Sequence, residues 1–301
     1  MHSRSREERA HRMRLAAGLA ALGMILLACS WVAFGSELSD LLAQAEAVYD
    51  RWSGPFDFTA YESELSNALG LWGQALPLIP ETDIQTRAHV LHRLAFGYHD
   101  YHVYFSETTY SGWTSRERLL EISFKYALDR LRLDPDFCAA EEAEGITAAL
   151  RGSNDAPALF AYGNSYGKWL SHHPREGLLG GVERVLAAFE RTLEVDETYF
   201  RGGAHFALAA LIAQAFFLIP YDFHDAEPLY ERALEVNPDN VEALTSYALD
   251  YAAAAWNVTL QLELLDRAVE RAESPDFVGY DPLYDYLAIR ALYEYVDKLN
   301  R

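Results

Sequence analysis

Cysteine is scarce in this sequence, with only Cys29 and Cys138 among 301 residues. Basic residues are also few, because 25 Lys and Arg stand against 45 Asp and Glu, a formal net charge of −20. Since phosphate binding requires clustered Lys and Arg, this balance argues against a nucleic-acid partner. It argues equally against electrostatic docking on anionic lipid.

The sequence also lacks the common motifs of cofactor and metal chemistry. It contains no Gly-rich phosphate loop, no paired zinc cysteines and no His-Glu-x-x-His. Gly163-Asn164-Ser165-Tyr166-Gly167 matches the nucleophile-elbow pattern, but that chemistry needs a strand before the serine. The residues upstream, 156–160, open a helix instead. We therefore predict no catalytic residue, no cofactor, no metal and no enzymatic activity.

The N-terminal segment has the order of a secretory signal. Five arginines precede the apolar run Leu15–Ala28, whose 14 residues are too few to cross a bilayer as a helix. The run ends in Leu26-Leu27-Ala28-Cys29, which resembles the bacterial lipobox. That resemblance implies cleavage before Cys29 and a diacylglyceryl thioether on its sulfur, with acyl chains such as palmitate. The alternative is an uncleaved N-terminal membrane anchor.

We accordingly predict a lipoprotein signal peptide over 1–28 and a single helical domain over 29–301. Ser30 follows the predicted lipidated cysteine, and serine there favours the outer membrane, on the periplasmic side. Residues 1–28 carry five Arg and two Glu, so the mature chain has a formal net charge of −23. Cys138 would be the remaining thiol. It follows Phe137 and opens an Ala-rich stretch, so we predict that it is buried.

Almost everything after Ser36 has the composition of helix. Ala, Leu, Glu and Arg dominate, Gly and Pro fall between periodic segments, and no run alternates β-branched residues. The sequence therefore predicts an all-α fold with helices at 37–52, 57–77, 82–106, 114–133, 136–150, 156–172, 178–195, 200–218, 223–236, 240–255, 258–273 and 281–299.

Several predicted helices end in a similar way. The clearest case is Glu231–Pro238, and 129–135, 190–196 and 74–80 are more degenerate versions. Each resembles the end of the second helix of a tetratricopeptide repeat, where a proline stops the helix. Their spacing is irregular, whereas a regular array steps by about 34 residues. We therefore predict a tetratricopeptide-like solenoid of helical hairpins with insertions.

The predicted helix 200–218 is unusually apolar. From Phe206 to Ile219 its only polar residue is Gln214. A helix that is apolar on every side is either buried on every side or lines an apolar cavity. We place it at the centre of the molecule.

Two clusters of side chains could serve either the packing of the fold or a function. His89, His92, His99 and His102 lie on one helix, where i, i+3 pairs could form a metal site or simply pack among tyrosines. Aromatic residues concentrate at 96–105 and 280–295, where they could form core or an interface. We favour packing for the histidines and leave the aromatic clusters open.

Residues 156–270 resemble a known family, the T-component lipoproteins of tripartite ATP-independent periplasmic (TRAP) transporters, called TatT. The resemblance rests on Ala156–Gly163 with Trp169, Leu193–Asp196 with Tyr199, Gly202–His205, Glu231–Glu235, and Tyr247-Ala248 followed by Leu264-Leu265.

The resemblance implies a non-enzymatic, lipid-anchored periplasmic accessory protein that assembles as a homotrimer. It would bind the transporter's solute-binding protein and hold a small apolar or carboxylate ligand in a concave channel. The residues expected near such a cleft are Tyr162, Trp169, His205, Phe217, Tyr247 and Tyr251. The alternative function is a scaffold lipoprotein for envelope or outer-membrane assembly, as in other tetratricopeptide lipoproteins.

Overall fold

The computed structural model describes residues 37–49, 58–104, 116–277 and 282–299. The predicted signal peptide and Cys29 lie outside these ranges. Within them the chain is helical and contains no strand. The prediction of an all-α, solenoid-like fold is therefore confirmed, while the assignment to tetratricopeptide repeats stays an interpretation.

The helices follow one another with short connections. In chain order they are α1 (37–49), α2 (Phe58–Ala75), α3 (Ile84–Tyr104), α4 (Arg116–Leu131), α5 (Pro135–Glu144), α6 (Ile146–Gly152), α7 (Ala156–His172), α8 (Val182–Val195), α9 (Gly203–Ala215), α10 (Ala226–Val236), α11 (Val241–Ser246, continued by a π-helical turn, Tyr247–Ala252), α12 (Val258–Glu273) and α13 (Pro282–Leu299).

Some predicted helices are interrupted at residues with positive φ. The segment 136–150 divides into α5 and α6 at Gly145, whose φ of 90° is easily adopted only by glycine. The segment 200–218 begins with Phe200, Arg201 and Gly202 in the left-handed region, so α9 starts only at Gly203. Side-chain periodicity does not reveal such a break, because the apolar pattern continues through it.

The helical hairpins curl so that the last helix returns to the first part of the chain. Leu283 of α13 packs in the apolar cluster formed by α1, α2 and α3. The neighbouring Tyr284 donates its hydroxyl hydrogen to Asp100 Oδ1 of α3 at 2.9 Å. A larger core joins the helices from α3 onward. The solenoid thus closes on itself and leaves a space between its inner helices.

Gly163 allows a close helix crossing in the larger core. A Cβ atom at this position of α7 would lie 2.8 Å from the Phe189 ring of α8. Glycine is therefore required here for space rather than for its backbone conformation. This contact explains the first glycine of the Gly-x-Ser-x-Gly pattern without any catalytic role.

The prediction that Cys138 is buried is wrong. The thiol is exposed, and its Sγ donates to the carbonyl oxygen of Arg132 at 3.2 Å. Phe137 is the buried residue of α5. One step along a helix turns the side chain by about 100°, which carries Cys138 away from the face that Phe137 buries.

The apolar segment around α9 is partly buried and partly exposed. By length and composition alone, one stretch of the described residues could cross a membrane, Tyr199–Leu218. Its α-helical part is only 13 residues long, and Leu208 and Ile212 of that part are buried. Phe216, Phe217 and Leu218 form an exposed 3-10 turn. The prediction of a central helix holds for α9, but it is wrong for this last turn.

Candidate functional site

A cavity lies between the inner faces of five helices. Its walls come mainly from α3, α7, α9, α11 and α13. The narrow end measures about 80 Å³, and the two wider lobes measure about 410 and about 320 Å³. Lys168, Phe206 and Glu242 line all three parts, so the three parts adjoin at these side chains.

Helix α9 presents one apolar face to the core and another to this cavity. Leu208 and Ile212 are buried in the core, whereas Phe206, Ala210 and Gln214 line the cavity. The cavity residues are spaced by four, which places them on one face of an α-helix. The sequence offered two explanations for a helix that is apolar on every side, namely burial and the lining of a cavity. Both explanations apply to α9.

A chain of buried polar side chains leads from the narrow end of the cavity to the backbone. Ser123 Oγ donates to the Ala95 carbonyl oxygen at 2.6 Å and lies 2.6 Å from Ser165 Oγ. Ser165 Oγ lies 3.1 Å from His99 Nδ1, and His99 Nε2 lies 3.3 Å from Asn164 Nδ2. Only His99 and Asn164 of this group line the cavity.

The donors and acceptors of this chain can be assigned from the carbonyl end. A serine hydroxyl has one hydrogen, and Ser123 gives its hydrogen to a carbonyl that can only accept. Ser165 must then donate to Ser123, and so Ser165 accepts from His99 Nδ1. Burial lowers the pKa of His99 well below its usual value, and the charges of Lys168 and His102 lower it further. His99 is therefore neutral, with its proton on Nδ1 and a lone pair on Nε2.

The same assignment argues against Ser165 as a nucleophile. A histidine activates a serine by accepting its hydroxyl hydrogen, whereas here the hydrogen of Ser165 points to Ser123. Ser165 also lies in the middle of α7 and is only 1% exposed, with no strand before it. A nucleophile elbow needs the opposite environment, a serine exposed on a tight turn.

The four histidines of α3 have separate environments. His89 Nε2 contacts Glu46 Oε1 at 2.8 Å, the His92 ring packs on Phe96, and His99 joins the serine chain. His102 is fully buried beside His99. No group of three or more His, Cys, Asp and Glu side chains in the described ranges has the arrangement of a metal site.

A strained aromatic residue closes the narrow end. Phe200 has φ 50° and ψ 39°, a left-handed conformation that costs a side-chain-bearing residue about 1–2 kcal/mol. Its ring is held between Phe96 at 5.6 Å, Phe160 at 5.2 Å and Tyr284 at 6.1 Å. Phe200 and Tyr284 also line a second cavity of about 180 Å³, which Arg93 borders. These two rings therefore separate the second cavity from the first.

Three of the residues expected near a cleft lie in the core of the C-terminal hairpins or at its margin. Tyr247 stacks on Tyr230 at 4.9 Å, and Tyr251 donates to Glu227 Oε2 at 2.8 Å. Burial raises the pKa of both Tyr247 and Tyr251, as does the Glu227 carboxylate, which keeps them neutral donors. His205 is buried, with Nε2 at 3.7 Å from Glu197, and burial lowers its pKa more than Glu197 raises it.

The other three expected residues have different surroundings. Tyr162 is 2% exposed and stacks on Tyr166. Trp169 is half-buried against the His173 ring at 3.7 Å, and Phe217 is exposed. The cavity is lined instead by their sequence neighbours, such as Lys168 beside Trp169 and Phe206 beside His205. Their role in a cleft stays a prediction.

The turns at one end of the solenoid are polar and tied together by charged side chains. Because consecutive helices run antiparallel, alternate turns lie at the same end. At this end Arg191 Nε donates to the Ser153 carbonyl oxygen at 2.7 Å, and Arg232 pairs with Glu197 at 2.9 Å. We call these turns, 153–155, 196–202 and 237–240, the polar edge.

The turns at the opposite end are apolar and exposed. Leu178 and Leu179 lie between α7 and α8, Phe217 lies between α9 and α10, and Trp256 lies between α11 and α12. Trp256 is 89% exposed although it adopts φ 57°, and Phe217 is 69% exposed. We call these turns, 173–181, 216–225 and 253–257, the apolar edge. Ser171 and Gln214, near the ends of α7 and α9, line the cavity just below this edge.

The comparisons with known proteins agree with the resemblance found in the sequence. No curated protein matches the chain. A family model described as TRAP transporter T-component matches residues 90–283. The match covers well over half of the chain and includes every helix from α4 to α12, together with most of α3. The chain therefore belongs to the family of TRAP transporter T-components.

Proposed function

We propose that this T-component is a non-enzymatic accessory protein, lipid-anchored on the periplasmic side of the outer membrane, that binds its transporter's solute-binding protein. In this proposal the central cavity receives a small, largely apolar ligand. The observation that carries the proposal is the position of the apolar edge, directly above the end of the cavity at Ser171 and Gln214. A partner seated on this edge would cover the cavity.

Exposure of bulky apolar side chains at several neighbouring turns supports a protein partner. Single exposed apolar residues are common, whereas a group at one end of a molecule is typical of an interaction surface. Trp256 supports this further, because a large side chain in the left-handed region is strained and its exposed ring gains nothing from core packing. Aromatic residues contribute strongly to the centre of protein interfaces.

A detergent pull-down of the full-length lipidated protein from its native membrane tests this proposal. We expect mass spectrometry to find a TRAP solute-binding protein in the eluate. The double variant Phe217→Asp and Trp256→Asp should lose that protein, because both charges would be placed in the interface. Ile84→Asp is the matched control, since Ile84 is an exposed apolar residue at the start of α3, at the polar-edge end. Equal capture by both variants would contradict the proposed surface.

The same pull-down separates the second candidate function from the first. Helical solenoids also serve as scaffolds, and an extended apolar edge suits either function. Enrichment of outer-membrane assembly or pilus proteins, without a solute-binding protein, would favour an envelope-assembly scaffold. The homotrimer implied by the family resemblance is tested separately, by light scattering of the purified protein.

A further inference from the structure

The serine chain gives the narrow end of the cavity a defined hydrogen-bonding character. Ser123 is 0% exposed and Ser165 is 1% exposed, so no solvent competes for their hydroxyl groups. The Ser123 hydroxyl donates to the Ala95 carbonyl oxygen, and the Ser165 hydroxyl donates to Ser123 Oγ. As a result the proton of the neutral His99 ring stays on Nδ1, at the end that faces away from the cavity.

The side of His99 that faces the cavity therefore carries a lone pair. The Asn164 amide donates to this lone pair across 3.3 Å, a longer distance than the 2.9–3.0 Å usual for an N–H···O bond. The amide NH₂ of Asn164 has a second hydrogen as well. His99 and Asn164 thus offer an acceptor and a donor side by side at the closed end of the cavity.

Charge at this end does not favour a simple anion. Lys168 and Glu242, of opposite sign, both line the narrow end. A carboxylate oxygen has no hydrogen to give, so it would place its own lone pairs against the lone pair of Nε2. A hydroxyl group fits both neighbours, because it can replace the long Asn164–His99 contact, donating to Nε2 while it accepts from the Asn164 amide.

We propose that the narrow end of the cavity selects ligands whose head group donates a hydrogen bond to His99 Nε2, namely apolar molecules ending in a hydroxyl group. The apolar tail of such a ligand would lie along Phe206, Ala207 and Ala210 toward the apolar edge. From Gly203 to Gln214, α9 extends about 16 Å at 1.5 Å per residue, which is ample for an alkyl chain. This inference rests on the proposed function, in which the cavity holds a ligand, and it narrows the ligand class from apolar or carboxylate molecules to apolar alcohols.

Two measurements on the full-length protein test the selection directly. In the protein labelled with ¹⁵N-histidine, NMR should find the His99 proton on Nδ1. Binding of three water-soluble probes is then compared at neutral pH: hexanol, the isosteric pentyl methyl ether, which lacks a donor, and hexanoate. We expect hexanol to bind at least about tenfold more tightly than the other two, since a site built to hydrogen-bond a hydroxyl rejects analogues that lack its hydrogen.

A substitution outside the cavity tests whether the serine hydrogen bonds determine the position of the His99 proton and the preference for a hydroxyl group. Ser123→Ala removes the acceptor of the Ser165 hydrogen, which can then turn to His99 Nδ1. The histidine proton should move toward Nε2, and the preference for hexanol should fall. Ser171→Ala is the matched control, because Ser171 lines the wider part of the cavity and donates only to its own helix at the Lys168 carbonyl. The Ser171→Ala variant should keep the His99 proton on Nδ1 and the preference for hexanol.

The outcomes separate this inference from the proposed function. A proton on Nε2 in the unsubstituted protein, equal affinity for hexanol and the ether, or no change in Ser123→Ala would overturn the inference. Absence of probe binding in a protein that still captures the solute-binding protein would overturn it too, and would leave the accessory function standing. Tenfold selection in a protein that captures no solute-binding protein would contradict the accessory function alone.

Discussion

Two buried histidines of α3, His92 and His99, are kept neutral by their surroundings. The pKa of His92 falls to about 3 because the ring is buried and because the charges of Arg130, Arg93 and His89 oppose a further proton. Its Nδ1 atom is buried without a hydrogen-bond partner. His99 is shifted in the same direction. These side chains are tolerated in the fold only as neutral rings.

The free energy of unfolding should consequently fall as the solution is acidified. In the unfolded chain a histidine binds a proton below about pH 6.5, whereas folded His92 does not until about pH 3. Between these two pH values the unfolded state is stabilised by proton binding. The free energy of unfolding therefore falls by about 1.4 kcal/mol per pH unit for each such histidine. Urea unfolding at about pH 7.5 and about pH 5.5 measures the difference.

Replacing one histidine isolates its share of this pH dependence. His92→Phe should reduce the stability difference between the two pH values by about 1.4 kcal/mol, because Phe cannot be protonated in either state. His172→Phe is the matched control at an exposed histidine. An equal reduction in the two variants would show that burial of His92 is not the cause.

The cavity lies among the helices that carry most of the residues expected near a cleft, namely α7, α9 and α11. The family resemblance implies that Trp169, His205, Tyr247 and Tyr251 lie near a cleft, and that role stays a prediction. The cavity instead contains the residue next to each, and Lys168 is an example. Neighbouring helical side chains differ by about 100° in direction. The face that points inward depends on how the solenoid curls, which periodicity alone does not determine.

At the scale of the elements, one carboxylate joins two helices that frame the core. Asp155 Oδ1 accepts from the Ala158 backbone N–H at 3.1 Å and so caps α7. The same side chain receives two hydrogen bonds from Arg130 at the end of α4, at 2.7 and 2.8 Å. This contact fixes the start of the helix that carries Asn164 and Lys168 into the cavity.

Removal of the Asp155 carboxylate should therefore lower the free energy of unfolding more than removal of an ordinary helix cap does. Asp155→Ala removes the cap and leaves the largely buried Arg130 without its carboxylate, an effect of about 2–4 kcal/mol on the free energy of unfolding. Asp134→Ala is the control, because Asp134 caps α5 only through the Asp136 N–H and should cost about 1 kcal/mol. Equal costs in urea unfolding would mean that the pair with Arg130 contributes nothing measurable.

Helix positions were largely predictable because Gly and Pro separate the periodic segments. The boundaries of α7, Ala156–His172, agree with the prediction, and its start is marked by Asp155 and Pro157. The breaks at Gly145 and at Phe200 were not predictable from periodicity. A single glycine inside a helical pattern is often tolerated, and a left-handed phenylalanine is stabilised only by distant rings such as Phe96 and Tyr284.

At the scale of the whole molecule, closure of the solenoid depends on contacts that no local pattern contains. Tyr284 and Asp100 are 184 positions apart, yet their hydrogen bond joins the last helix to α3. The cavity exists because of this closure, which brings α13 opposite α7. Sequence analysis predicted hairpins and a buried apolar helix, but the way in which they enclose a space follows from their packing.

Attachment to the membrane is also a property of the whole chain, and it should depend on Cys29 alone. The predicted cleavage before Cys29 would leave a chain with a formal net charge of −23, which opposes binding to anionic lipid. The apolar helix α9 is 13 residues long, about 20 Å at 1.5 Å per residue, against a hydrocarbon core of about 30 Å. Since its core-facing residues are already buried, it cannot replace a lipid anchor.

Labelling with a fatty-acid probe in living cells tests this dependence. The unsubstituted protein should incorporate the probe and sediment with membranes, because two or more acyl chains anchor a protein stably. Cys29→Ala should lose both properties. Cys138→Ala is the matched control and should retain both properties, since Cys138 is an exposed thiol that lies far along the chain from the predicted lipobox. Unchanged labelling in Cys29→Ala, or lost labelling in Cys138→Ala, would show that the anchor is elsewhere.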